Sequence, residues 1–220
     1  MKRFAVLMMA LAFVLLAQAR FAHATAVLTL YDGVDPKLTI VDGGGLDSNP
    51  LTGAITYNGA LGPWSLNVTT GLTQPFLSFP EVLDLNTVDA SSSAGGTLAI
   101  TLSQDGYGPY SGPVSFIGSI GGTQPTGGTV SIEMLVNGTP IIPGGTFTAT
   151  PFSGSAIGSV SSLSTSDILE LDAVITHKGS GTTSFDASAN VPEPGTILLL
   201  GLGLMGFPIL VVLRKKASSK

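Results

Sequence analysis

The sequence predicts an all-β domain, an antiparallel β-sandwich of jelly-roll or immunoglobulin-like kind, set between two apolar termini. Three observations predict it. Short stretches alternate apolar and polar residues with a period of two. The 29 glycines and 14 prolines punctuate those stretches at close intervals. Between residues 26 and 190 no stretch shows the three-to-four-residue apolar spacing of an amphipathic helix.

Residues 1–24 read as a secretory signal peptide. Lys2 and Arg3 form a positive start, and Phe4 to Ala17 is an uncharged apolar run. Ala22-His23-Ala24 puts small residues at the two positions a signal peptidase reads, so the cut is placed after Ala24, with Ala26 as a second option. Export then delivers residues 25–178 as the sandwich domain.

Within that domain Trp64, Leu66 and Val68 alternate with Ser65, Asn67 and Thr69. Leu98, Ile100 and Leu102 alternate with Thr97, Thr101 and Ser103. Val130, Ile132, Met134 and Val136 form a third row, and Asn137-Gly138 follows it as a hairpin turn whose two residues take positive φ. Leu169, Leu171, Ala173 and Ile175 form a fourth, with His177 in phase at its end. One apolar and one polar face per strand is the signature of antiparallel sheets packed on a shared core. About 10–12 strands are expected by this spacing. Gly-Gly-Thr recurs at 95–97, 121–123, 127–129 and 144–146 without a fixed interval, each expected as a turn feeding a strand. Residues 179–190 are expected to hold the last strand and a linker.

The C-terminal part carries a compact arrangement. Val191-Pro192-Glu193-Pro194 precedes an uncharged run from Ile197 to Leu213, and Arg214, Lys215 and Lys216 follow. Seventeen helical residues at about 1.5 Å each reach about 26 Å, enough for a thin bilayer. The basic stop holds residues 217–220 in the cytoplasm and leaves the domain on the far side. Motif, apolar run 197–213 and basic cluster together, over residues 191–216, resemble the PEP-CTERM sorting signal. That resemblance implies an exosortase as processing partner, cutting near the Pro-Glu-Pro motif. It also implies an inner-membrane-anchored precursor in a bacterium that makes extracellular polysaccharide, delivered afterwards to the cell envelope or outside it.

Composition excludes whole classes of chemistry. There is no cysteine, hence no disulfide, thiolate catalysis or Cys-ligated zinc. Residues 25–190 hold thirteen acids against two bases, Lys37 and Lys178, so the domain repels nucleic acid. Only one histidine, His177, survives signal removal; it reads as a partly buried strand-end residue, and no catalytic set is visible. No cofactor is expected, and calcium is the one metal the loops suggest. Asp32, Asp35, Asp42 and Asp47, with Asn49, lie in Gly-rich loops of the kind calcium favours, although turn capping explains them more simply. Tyr107 and Tyr110, in Asp-Gly-Tyr-Gly-Pro-Tyr, are the candidate sugar contacts, and Trp64 is expected in the core.

The functional expectation is a non-enzymatic envelope or matrix protein of structural or adhesive role. Its membrane contact is the C-terminal helix, and extracellular polysaccharide is its candidate partner. A carbohydrate-binding module and a secreted glycoside hydrolase are the alternatives, the latter needing only two carboxylates.

Overall fold

The computed structural model describes residues 25–77 and 81–191, with the side chains of 68–70 excepted. Residues 1–24, where a signal peptide is expected, and residues 192–220, with the apolar run 197–213 and the basic cluster, lie outside the described residues. Among those described, no helix is long and apolar enough to cross a membrane.

Twelve strands form two six-stranded antiparallel sheets. They are β1 (Val27–Tyr31), β2 (Leu38–Val41), β3 (Ala54–Leu61), β4 (Trp64–Thr73), β5 (Glu81–Ser92) and β6 (Gly96–Gln104), then β7 (Val114–Thr123), β8 (Thr129–Val136), β9 (Thr139–Phe147), β10 (Phe152–Val160), β11 (Leu169–His177) and β12 (Gly181–Asn190). The first sheet runs β2-β1-β6-β11-β8-β9 and the second β10-β7-β12-β5-β4-β3. From β5 onward the chain crosses between sheets at nearly every connection, so β5–β12 follow the jelly-roll order, and the hairpins β1–β2 and β3–β4 widen one side.

The rows read from sequence become core faces. Leu98, Ile100 and Leu102 of β6 and Leu169, Leu171, Ala173 and Ile175 of β11 are buried, and they meet Phe116, Leu83, Leu85 and Phe185 from the second sheet. Burying such side chains is worth roughly 1.5–3 kcal/mol each, which is how a cysteine-free domain holds together. Asn137 (φ 52°) and Gly138 (φ 72°) make the predicted turn between β8 and β9.

Two expectations need correction. Gly-Gly-Thr at 95–97 and 127–129 does sit at turns, with Gly95 and Gly127 at positive φ. At 121–123 and 144–146 it lies inside β7 and β9 instead. Gly122 is there for close approach, since a Cβ would meet the Ser184 carbonyl and Phe185 on β12. Gly144 lies in a register shift of β9, where a bulge relaxes the pairing with β8, and Gly145 and Thr146 resume it opposite Ile132 and Ser131. The second concerns 179–190, where the expected last strand is present but the expected linker is not. Gly181–Asn190 is a full strand in the middle of its sheet, paired with β5 and β7, and Thr183, Phe185, Ala187 and Ala189 face the core. No linker separates it from Val191-Pro192-Glu193-Pro194.

Candidate functional site

The tail leaves the sandwich from a fixed point. Asn190 pairs with Glu81 on one side and Ile117 on the other, and Val191 beyond it is still buried. At the same end Ala26 is buried and accepts a backbone hydrogen bond from Asp42 (3.0 Å). Both termini of the domain therefore emerge at one end. The loops 42–53, 105–113 and 161–168 crowd there, tied by Tyr110–Leu163 backbone bonds of 2.7 and 3.0 Å and by Gly106 N–H to the Thr165 carbonyl. Of the four residues expected as a sorting motif only Val191 is described; Pro192, Glu193, Pro194, the basic cluster Arg214, Lys215 and Lys216, and the expected signal-cleavage residues Ala22 and Ala24 lie outside.

Asp32, Asp42 and Asp47 accept hydrogen bonds from backbone N–H groups. Asp47 Oδ1 accepts from Asn49 (2.8 Å) and Thr56 (2.9 Å), and its Oδ2 from Gly43 (3.0 Å). Asp42 Oδ2 accepts from Gly53 at 2.8 Å. Asp32 Oδ1 accepts from Val34 and Asp35, and these bonds hold its carboxyl below the usual carboxylate range. Asp32 and Asp35 lie in the turn after β1, at the opposite end from Asp42 and Asp47, so the four do not converge. Among the described residues no group of three or more His, Cys, Asp or Glu is arranged to hold a metal ion.

Tyr107 does not serve as a sugar platform. It is 8% exposed, and its hydroxyl donates to the Val82 carbonyl and meets Gln104 Oε1, both at 2.6 Å. Burial raises its phenol above the ordinary value. The turn after β6 folds it inward, because a phenol with two acceptors in reach is a core residue with its polar end satisfied. Tyr110 remains 37% exposed on the tail-side end.

Trp64 is in the core as expected, but His177 is more deeply buried than its strand-end position suggests, at 3% exposure. Its Nε2 bonds Thr183 Oγ1 at 2.7 Å, and burial pulls its pKa below the ordinary value. The Thr183 hydroxyl that the ring meets is itself fully buried, so this pair sits in the core and does not face solvent.

A third group was not legible from sequence. On the outer face of the second sheet, Glu81, Asp84 and Asn86 of β5, Asp186 and Ser188 of β12 and Ser119 of β7 line a depression of about 320 Å³. The pKa of Asp84 is raised to about 6, first by burial and then by the Glu81 and Asp186 charges. Ser119 and Ser188 share a hydroxyl bond of 2.9 Å, and Asp186 accepts from the Thr87 N–H. Two strands 100 residues apart in sequence supply these acids, and only the β5–β12 register brings them together.

Comparison with known proteins then bears on the tail. Residues 190–216 match the family described as the PEP-CTERM protein-sorting motif. The chain carries a PEP-CTERM sorting motif. A motif of this kind implies an exported, membrane-anchored precursor sorted by an exosortase. The match begins at Asn190, the last residue of β12. No curated protein matches the sequence. Solved structures that overlap the sandwich include TmCBM61 in complex with β-1,4-galactotriose, at 9% identity, covering 60% of this chain and 91% of that one with a TM-score of 0.35. The CBM22-1 xylan-binding domain of Paenibacillus barcinonensis Xyn10C overlaps at 12% identity, 68% and 92% coverage and a TM-score of 0.36. A family 35 carbohydrate-binding module from Clostridium thermocellum overlaps at 12% identity, 64% and 92% coverage and a TM-score of 0.32. Likeness at this level carries no inference about ligand.

Proposed function

We propose that this protein is a non-enzymatic component of the cell envelope or extracellular polysaccharide matrix, delivered as a sandwich domain once an exosortase has removed its tail. The observation behind this reading is the junction at Asn190: the sorting motif starts where a central strand ends, with no spacer. Pro192 to Thr196 adds five residues before the apolar run, at most about 18 Å of extended chain. The precursor thus holds its folded domain close to the bilayer, and release of the domain depends on the cut. Deleting the exosortase of the native host tests this. The protein should then accumulate in the membrane fraction at full length; unchanged release would contradict the reading.

One feature favours carbohydrate binding as the way the domain is retained. The outer face around Asp84 presents Asn86, Ser119, Asp186 and Ser188 to solvent, hydroxyls, an amide and carboxylates of the kind that pair with sugar hydroxyls. Retention of the protein by the host's own polysaccharide should weaken on Asn86→Ala with Asp186→Ala. Equal retention would move the contact elsewhere.

A further inference from the structure

A sandwich has four edge strands, and a bare edge is a template for pairing with another chain. Three of the four are blunted here. β2 is four residues long. β3 carries a register shift between Ile55 and Tyr57. β9 holds Pro140 and Pro143 and two register shifts. Proline, bulges and brevity are the usual devices against edge pairing.

β10 has none of these. Its nine residues, Phe-Ser-Gly-Ser-Ala-Ile-Gly-Ser-Val, pair with β7 in unbroken register from Phe152–Gly122 to Val160–Val114. It contains no proline and no charge, and Ser153, Ser155, Ala156, Ile157 and Ser159 are exposed. On its free side, alternate N–H and C=O groups point away from β7. β9 lies beside it in the other sheet and shares no ladder with it.

The side chains indicate what covers this edge. Ile157 is 72% exposed and lies opposite Ile117 on the outer face, so an apolar pair runs out to the rim of a sheet otherwise faced with serine and carboxylate. β7, β9 and β10 contain no ionisable residue, although the domain as a whole carries a large negative charge. A partner with the same excess of acids is therefore not repelled at this edge, as it would be elsewhere. An apolar cavity of about 210 Å³ lined by Ile120, Met134, Ile142 and Phe147 also opens beside β10 and would be closed from water by a chain laid along it.

We infer that β10 pairs antiparallel with β10 of a second copy, about a two-fold axis near Ile157, so that two six-stranded sheets join into one. Ile117, Ile157 and their two counterparts then form one continuous apolar row, the cross-strand pairing that stabilises a sheet. An edge-to-edge dimer doubles every binding face the domain carries, which suits a protein of a polymer matrix.

The absence of cysteine makes the test direct, since a single introduced cysteine can only cross-link between copies. The full chain carrying Ile157→Cys, purified in detergent and mildly oxidised, should shift on a non-reducing gel from its 22.3 kDa monomer to about twice that mass. Val34→Cys, at a still more exposed position in a loop at the far end, should stay monomeric. Sedimentation of the cysteine-free chain should give a dimer, and Ile157→Lys, which changes an exposed side chain without touching the core, should give a monomer. Equal cross-linking at both positions, or a monomeric parent chain, would overturn the pairing.

Discussion

The rings of Trp64 and His177 meet inside the sandwich with centroids 4.8 Å apart and planes at 46°. β4 contributes one and the last residue of β11 the other, so the contact joins the two sheets. It leaves His177 with one hydrogen bond, to Thr183, and no counter-charge.

That environment sets a pH dependence. His177 titrates below its ordinary value of 6.5 in the folded protein, so the unfolded chain takes up its proton first. Its contribution to stability is present above pH 6.5 and is lost as the pH falls below it toward the folded value. The melting temperature should fall more between pH 7 and pH 5 in the parent chain than in His177→Phe. Parallel pH profiles for the two would show that the imidazole is not the titrating group.

Asp84 has the opposite sign. Its folded pKa, raised to about 6, favours the protonated form, so its stabilisation is greatest near and below pH 3.8 and is lost as the pH rises through about 6. Asp84→Asn should therefore melt higher than the parent at pH 8 and gain nothing at pH 4. Thermal scans at the two pH values check this. An Asn variant less stable at pH 8 would mean the carboxylate makes a stabilising contact.

Asp47 acts as a staple across the loop between β2 and β3. Asp47→Ala strips three backbone N–H groups of their acceptor and should cost about 1–2 kcal/mol, comparable with loss of a helix cap. Its oxygens being committed, millimolar calcium should leave the melting temperature of the parent unchanged. A calcium-dependent rise would show that these loops rearrange to bind the ion.

Tyr107→Phe removes the one hydroxyl proton that Val82 and Gln104 can accept, and Gln104 Oε1 keeps the Gln74 N–H, so the Val82 carbonyl bears the loss, about 1–3 kcal/mol in a buried site. Denaturant titration measures it. Polysaccharide retention should be untouched in the same variant; a loss of retention with stability intact would return Tyr107 to the sugar-contact role.

How far the sequence discloses this molecule depends on side-chain contrast. β6, β8 and β11 alternate large aliphatic residues with Thr, Ser or acids, so their faces are legible. β12 is expected as a last strand, but its full length and inward face are not legible, because Thr183, Ala187 and Ala189 inside are as small as Ser184 and Ser188 outside. Small residues are needed there, where β12 passes close against β7 and a Cβ at Gly122 has no room. β10 is equally hidden, its Ser and Gly resembling a loop until the nine-residue register with β7 is seen. Tyr107 misleads for a different reason: an aromatic in a Gly-Pro loop looks exposed, and only the tertiary fold brings the Val82 carbonyl and Gln104 Oε1 to its hydroxyl. The Asp84 depression has no sequence signature at all, since register alone assembles it. The sorting motif, being linear, is fully legible.

The most direct test of this account is to measure both termini of the protein by mass spectrometry, in the membrane and extracellular fractions of its host. The account predicts an extracellular species beginning near Thr25 and ending between Pro192 and Gly195, the folded sandwich freed of its tail. A membrane-bound chain that still ends at Lys220, with no released form, would contradict it.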